Sequence, residues 1–286
     1  MTHRRDLEAH RETLDEIHEI MNSMKSLAYM ETRKLVNLLA AQHAVVSHIE
    51  TMAADFLGFY PRGLAPGERT TPVCVVIGSE RGFCGDFNEM LTRRLDAHAK
   101  ASTSDDLHLI AVGRKLHPLL DGDSRLAAAI DGASSVEEVA EVIKRLVNAI
   151  GELQALYGPL SVRVLHHALE GDELVLNALM PPFEHMTNAP ASFAYPPLLN
   201  LQPREFFFEL TEHYVFAALH ESVYASLMAE NHLRVHHLEG AVRNLEEKSI
   251  ALRRKCNALR QEEIIEEIEV ILLSASVLDQ EARGRR

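Results

Sequence analysis

From Arg204 to Leu278 the chain contains no proline and one glycine, Gly240, so nothing there strongly forces a helix to stop. Within this stretch Tyr224, Met228, Asn231, Val235, Leu238, Val242, Leu245, Ser249, Leu252, Cys256 and Leu259 follow one another in alternating steps of four and three. That spacing predicts a long helix pressing one narrow stripe against a partner. After Leu259 the stripe jumps to Ile264 and resumes through Ile268, Ile271, Ala275 and Leu278, a phase break expected to alter the winding locally. The other end of the chain offers the partner. Leu7, His10, Leu14, Ile17, Met21, Met24, Ala28, Glu31, Leu35, Leu38, Gln42, Val45, Ile49, Met52, Phe56 and Phe59 alternate three and four, with no proline before Pro61. The same spacing fits a helical hairpin in a globular core. At 1.5 Å per residue, however, the two segments span roughly 85 and 110 Å, which favours a rod.

Between the arms the pattern changes. Gly58–Pro72 crowds glycine and proline and reads as a linker. Beyond it VCVVIG, from Val73, is a short buried-strand run, and LHLIAVG, Leu107 to Gly113, repeats it. Asn88 to Lys100 and Ser135 to Tyr157 have helical spacing, the latter with Ser135 as cap and Glu138 three residues on. Ser161 to Leu169 and Glu173 to Met180 are two more strand candidates, set as a hairpin or edge pair around Glu170, Gly171 and Asp172. Strand and helix in alternation imply an open α/β sheet. The proline-rich Pro181 to Pro203 leads back to the second arm. The expected architecture is α/β: a long antiparallel two-helix coiled coil formed by segments 1–60 and 204–286, with a Rossmann-like domain inserted over 70–200. The second arm is the longer by about twenty residues, a projection of roughly 30 Å.

Composition narrows the function. A net charge of −13 opposes nucleic acid as a partner. Three cysteines, Cys74, Cys84 and Cys256, lie apart and are expected reduced. The His166–His167 and His236–His237 doublets have no cysteine or carboxylate at metal spacing, so no metal is expected. No run approaches eighteen apolar residues, and Met1 to Glu8 is charged with no apolar stretch behind it. Neither a membrane span nor an export signal is expected.

The loop Gly78 to Asn88, GSERGFCGDFN, follows the first strand, where a doubly wound sheet places its ligand. Its glycines at 78, 82 and 85 match neither the dinucleotide fingerprint nor the phosphate loop. Glu80 and Asp86 put negative charge where a phosphate would lie, and the second strand ends in GRK without an acid for a ribose. No cofactor and no catalytic site are expected, the glycines serving a tight turn.

Three separated stretches together resemble the gamma subunit of F-type ATP synthases. IMNSMKSLA, Ile20 to Ala28, is similar to the family's Met-Lys segment through Met24 and Lys25. SERGFCGDFN is similar to its central loop through Ser79, Arg81, Gly82, Cys84, Gly85 and Asn88, with Glu80 in place of aspartate and Phe83 in place of leucine. VGRKL, Val112 to Leu116, fits the next strand end. Asn257, Arg260, Gln261, Ile264 and Glu267 match its C-terminal pattern in order and spacing, and Arg234 falls at its preceding arginine. Cys256, Ile265, Val235 and Leu238 depart from it, as a divergent member of an alternate or sodium-type F-ATPase would.

The resemblance implies a central-stalk rotor without a catalytic site of its own. It implies alpha and beta subunits around the shaft, an epsilon subunit and a membrane c ring as partners, and a peripheral place on the cytoplasmic face of the membrane. It also implies that Met24, Lys25, Arg234, Asn257, Arg260, Gln261, Ile264 and Glu267 make subunit contacts. Lys25, Arg234 and Arg260, with Arg253, Arg254 and Lys255, would form a charged band facing acidic loops on the beta subunits, with Gln261 and Glu267 in polar contacts near the tip; the alternative for Arg253 to Lys255 is a solvated helix face. A Rossmann-type nucleotide enzyme with helical dimerisation arms and a free-standing coiled-coil adaptor are the alternatives.

Overall fold

The computed structural model describes residues 2–60, 70–101, 106–169, 173–183 and 195–284, with side chains over 4–60, 70–98, 106–169, 173–183 and 195–272. Most of the Gly58–Pro72 linker, the turn at 170–172, part of the Pro181–Pro203 stretch and the side chains of Ala275 and Leu278 lie outside the described residues. Among these residues nine principal elements follow in order: α1 (Thr2–Phe59), β1 (Thr71–Ile77), α2 (Phe87–Ala101), β2 (His108–Val112), β3 (Leu126–Ile130), α3 (Val139–Tyr157), β4 (Leu160–His167), β5 (Leu174–Met180) and α4 (Pro203–Gly284). They form two compact units, Met1–Ser26 with Leu238–Arg286, and Leu27–His237.

In the first unit the ends of α1 and α4 run antiparallel. Arg4 Nε lies 2.8 Å from Glu263 Oε2, His18 Nε2 lies 3.1 Å from Glu246 Oε1, and Ser249 Oγ donates to Asp15 Oδ1 at 2.7 Å. The expected α4 stripe is the buried or half-buried one through Leu259, but it does not break there. Its next position is half-buried Glu263, one step of four onward, while Ile264 is 47% exposed. A search for apolar residues passes over Glu263, because its reason for facing inward is Arg4.

In the second unit the sheet order is β3-β2-β1-β4-β5, with β1 parallel to both β2 and β4, β2 parallel to β3, and β5 antiparallel to β4. Successive β1 residues face opposite ways, as the pleat requires. Val73, Val75 and Ile77 join one core with α3, through Val142, Ile143 and Leu146. Cys74 and Val76 join another with α2, through Phe87, Leu91 and Leu95. A third core of Phe56, Ala53 and Ile49 from α1 meets Leu210, Tyr214 and Ala217 from α4, and there too the helices are antiparallel, with Gln42 Nε2 donating to the Ala217 carbonyl at 2.9 Å.

Strand β3, LAAAI, was not anticipated: its alanines carry no strand signal, and its burial pattern is that of a half-exposed edge. Ser135 does not cap α3; a 3₁₀ turn, Val136–Glu138, intervenes, and Glu138 Oε2 accepts the backbone N–H of Ser134 at 2.6 Å. The stripe on α1 keeps Leu7, Leu14, Met21, Met24, Ala28, Glu31, Leu35, Gln42, Ile49, Phe56 and Phe59, but its other five positions are shifted by one. Arg11, His18, Leu39, Val46 and Ala53 turn inward where His10, Ile17, Leu38, Val45 and Met52 were expected, and these five are exposed.

Candidate functional site

The loop following β1 sits where strand order reverses in this sheet, the position at which open α/β folds receive ligands. Here α4 occupies it. Ser226, Glu230 and Arg234 are spaced by four and therefore share one helix face. Ser226 Oγ donates to the Ile77 carbonyl at the end of β1, 3.1 Å away. Glu230 accepts the backbone N–H of Arg81 on Oε1 at 2.9 Å and that of Glu80 on Oε2 at 3.1 Å. Arg234 pairs with Glu230 Oε1, donates from Nη1 to Asn231 Oδ1 at 2.7 Å, and from Nε to the Gly82 carbonyl at 3.1 Å. All three side chains are buried. Burial pushes the Glu230 carboxyl above the usual carboxylate range, while Arg234 and the two loop amides pull it down.

A second internal carboxylate closes the neighbouring strand ends. Glu80, 6% exposed, accepts the backbone N–H groups of Arg114 at 3.0 Å and Gly132 at 2.8 Å, and pairs with the Arg114 guanidinium at 2.6 Å. The acid that the sequence places against a phosphate thus acts as an internal partner. Ser79 and Asn88 brace the loop: Asn88 Oδ1 accepts the Ser79 N–H and Asn88 Nδ2 donates to Ser79 Oγ, both at 2.9 Å. Gly85 at φ 65° lies against the His237 ring, and Cys84 is buried within the α2 core.

The expected site residues therefore separate into two groups. Ser79, Arg81, Gly82, Cys84, Gly85, Asn88 and Arg234 come together in this clamp; Arg234, expected on an outward basic band, is 4% exposed and used internally. Asn257, Arg260, Gln261, Ile264 and Glu267 are exposed together along α4, as are Arg253, Arg254 and Lys255, whereas Met24 and Lys25 are half-buried on α1. Glu230, Ser226 and His237 were missed. The visible signal was polar residues at four-residue spacing inside an apolar run, YASLMAENHLRV.

Sheet and clamp define an α/β protein in which the edge that elsewhere holds ligands holds a helix, α4. A profile of the ATP synthase family matches residues 3–278. The ATP synthase gamma chain of Bdellovibrio bacteriovorus is 23% identical over 96% of this chain and 98% of its own length, and that of Salinibacter ruber is 24% identical over 77% and 79%. The fold is shared with a chain of the Euglena gracilis mitochondrial ATP synthase OSCP/F1/c-ring structure, at TM-score 0.60, 16% identity and coverage of 97% of this chain and 95% of that one. It is shared also with a chain of the Tetrahymena thermophila central stalk/c-ring structure, at TM-score 0.56, 16% identity and coverage of 78% and 99%. The chain belongs to the ATP synthase family, as a gamma chain. It is a subunit of a membrane-associated rotary complex, and among the described residues no helix is long and apolar enough to cross a membrane.

Proposed function

We propose that this gamma chain turns as a shaft inside a ring of alternating alpha and beta subunits, with an epsilon subunit beside it and a membrane c ring beneath it, on the cytoplasmic face of the membrane. Ion flow through the membrane ring drives the rotation that supports ATP synthesis, and hydrolysis reverses it. The shaft performs no bond chemistry in this scheme. Its faces differ, so each catalytic site meets a different surface at a given angle and is biased toward a different affinity.

The observation that carries this reading is the apolar run of α4 beyond Glu263. Ile264, Ile265, Ile268, Val270 and Leu272 are 47%, 55%, 50%, 66% and 63% exposed. A broad apolar surface on a helix calls for a surrounding partner. Asn257, Arg260, Gln261, Ile264 and Glu267 follow one another at helical spacing on the exposed side of the same helix, and we assign subunit contact to them. Lys25, Arg253, Arg254 and Lys255 extend the basic surface toward acidic loops of the ring.

The test is Arg260→Glu in the assembled complex, with ions pumped per ATP hydrolysed as the readout. The ratio is expected to fall while hydrolysis persists. An unchanged ratio removes Arg260 from the contact set, and failure of the chain to co-purify with alpha and beta subunits overturns the rotor reading itself.

A further inference from the structure

The clamp has the chemistry of an anion receptor. The N–H groups of Glu80 and Arg81 are successive in the chain and converge on one carboxylate, the arrangement by which backbone concavities bind anions. A buried guanidinium completes it, held in place by Asn231 Oδ1 and the Gly82 carbonyl. Donors, cation and location at the reversal of strand order are those of a site for an anionic ligand.

We infer that the loop after β1 is an anion-binding site permanently occupied in cis by the Glu230 carboxylate, and that removing this carboxylate leaves a receptor for a small free carboxylate. Glu230 is delivered by its own helix, so it competes as an intramolecular ligand, at an effective concentration that a dilute free anion does not match. The donors are already satisfied, and the acid Glu80 holds the amides of the two adjacent strand ends.

Truncating Glu230 to alanine removes a methylene and the carboxyl group, which together have the shape of acetate. The arrangement therefore specifies acetate over tetrahedral phosphate. The test is thermal unfolding of the full chain, wild type and Glu230→Ala, in sodium acetate, sodium phosphate and sodium chloride at equal ionic strength. In chloride the variant is expected to melt roughly 6 °C or more below wild type, since a buried guanidinium loses its partner. Saturating acetate is expected to restore at least half of that loss in the variant and to leave wild type unmoved. Glu230→Ala combined with Arg234→Ala is expected to lose the acetate response.

Equal melting in acetate and chloride, or a larger response to phosphate than to acetate, overturns the inference. If Glu230→Ala does not fold in chloride, refolding yield from denaturant becomes the measurement. Recovery in acetate but not in chloride supports the cis-ligand reading, and no recovery in either overturns it.

Discussion

At Gly85 two costs can be separated. Its φ of 65° is disfavoured for any residue with a side chain, and a Cβ there would stand 2.3 Å from Nε2 of His237. The imidazole is exposed and free to turn aside, so the backbone cost decides. Gly85→Ala is expected to lose about 1–3 kcal/mol in denaturant unfolding, and adding His237→Ala to recover little of it. Full recovery in the double variant would make the clash the cause. Cys74 allows a further prediction. Burial pushes its thiol from the ordinary 9.0 to about 12, so in the folded chain it is expected to resist alkylating reagents at pH 8 and to react only after unfolding. The sign for stability follows. An unfolded thiol ionises near 9 while the folded one stays protonated, so the Cys74 contribution is intact below pH 9 and is lost as pH rises toward 12. Cys74→Ala is expected to lose less stability than wild type over that window, measured by alkaline titration of the fold.

Along α1 the geometry chooses between two stripes that the sequence permits equally well. Leu38 and Leu39 are chemically identical neighbours, yet Leu39 is 7% exposed within the sheet core and Leu38 is 39% exposed. Leu39→Ala is expected to cost about 2–5 kcal/mol in unfolding of the isolated full chain and Leu38→Ala less than about 1 kcal/mol. The reverse order would restore the stripe first read from spacing. That reading placed both long helices, the parallel core strands and the antiparallel edge pair, because each rests on a period that local residues reveal. It set α1 partly out of register because neighbouring apolar pairs, Leu38 with Leu39 and Val45 with Val46, fit the spacing equally well, and because Arg11 and His18 carry no apolar signal. Arg4 and His18 turn inward toward Glu263 and Glu246, residues more than two hundred positions away. The clamp was half legible for the same reason. Ser79, Gly82, Gly85 and Asn88 are contiguous enough to be read as one motif, whereas Glu230 acquires its meaning only when α4 crosses the end of β1.

For the molecule as a whole, the two arginines of the C-terminal helix assigned to subunit contact by resemblance have opposite surroundings. Arg234 is buried against Glu230 and the loop carbonyl of Gly82, whereas Arg260 stands in solvent. Replacing Arg234 with alanine strands a buried carboxylate, and breaking such a pair costs about 3–5 kcal/mol. Arg234→Ala is therefore expected to weaken the isolated chain by that order, as read by denaturant unfolding, and to lower the amount of complex assembled. Arg260 has no such partner among the described residues, and a surface substitution changes stability by no more than about 0.5 kcal/mol. Arg260→Glu is expected to leave unfolding of the isolated chain unchanged and, on the proposed subunit contact, to act only in the assembled complex, on ions moved per ATP. The pair of variants thus distinguishes a residue that holds α4 to the sheet from one proposed to contact a neighbouring subunit. Arg234→Ala with wild-type stability, or Arg260→Glu with a destabilised chain, would exchange the two roles.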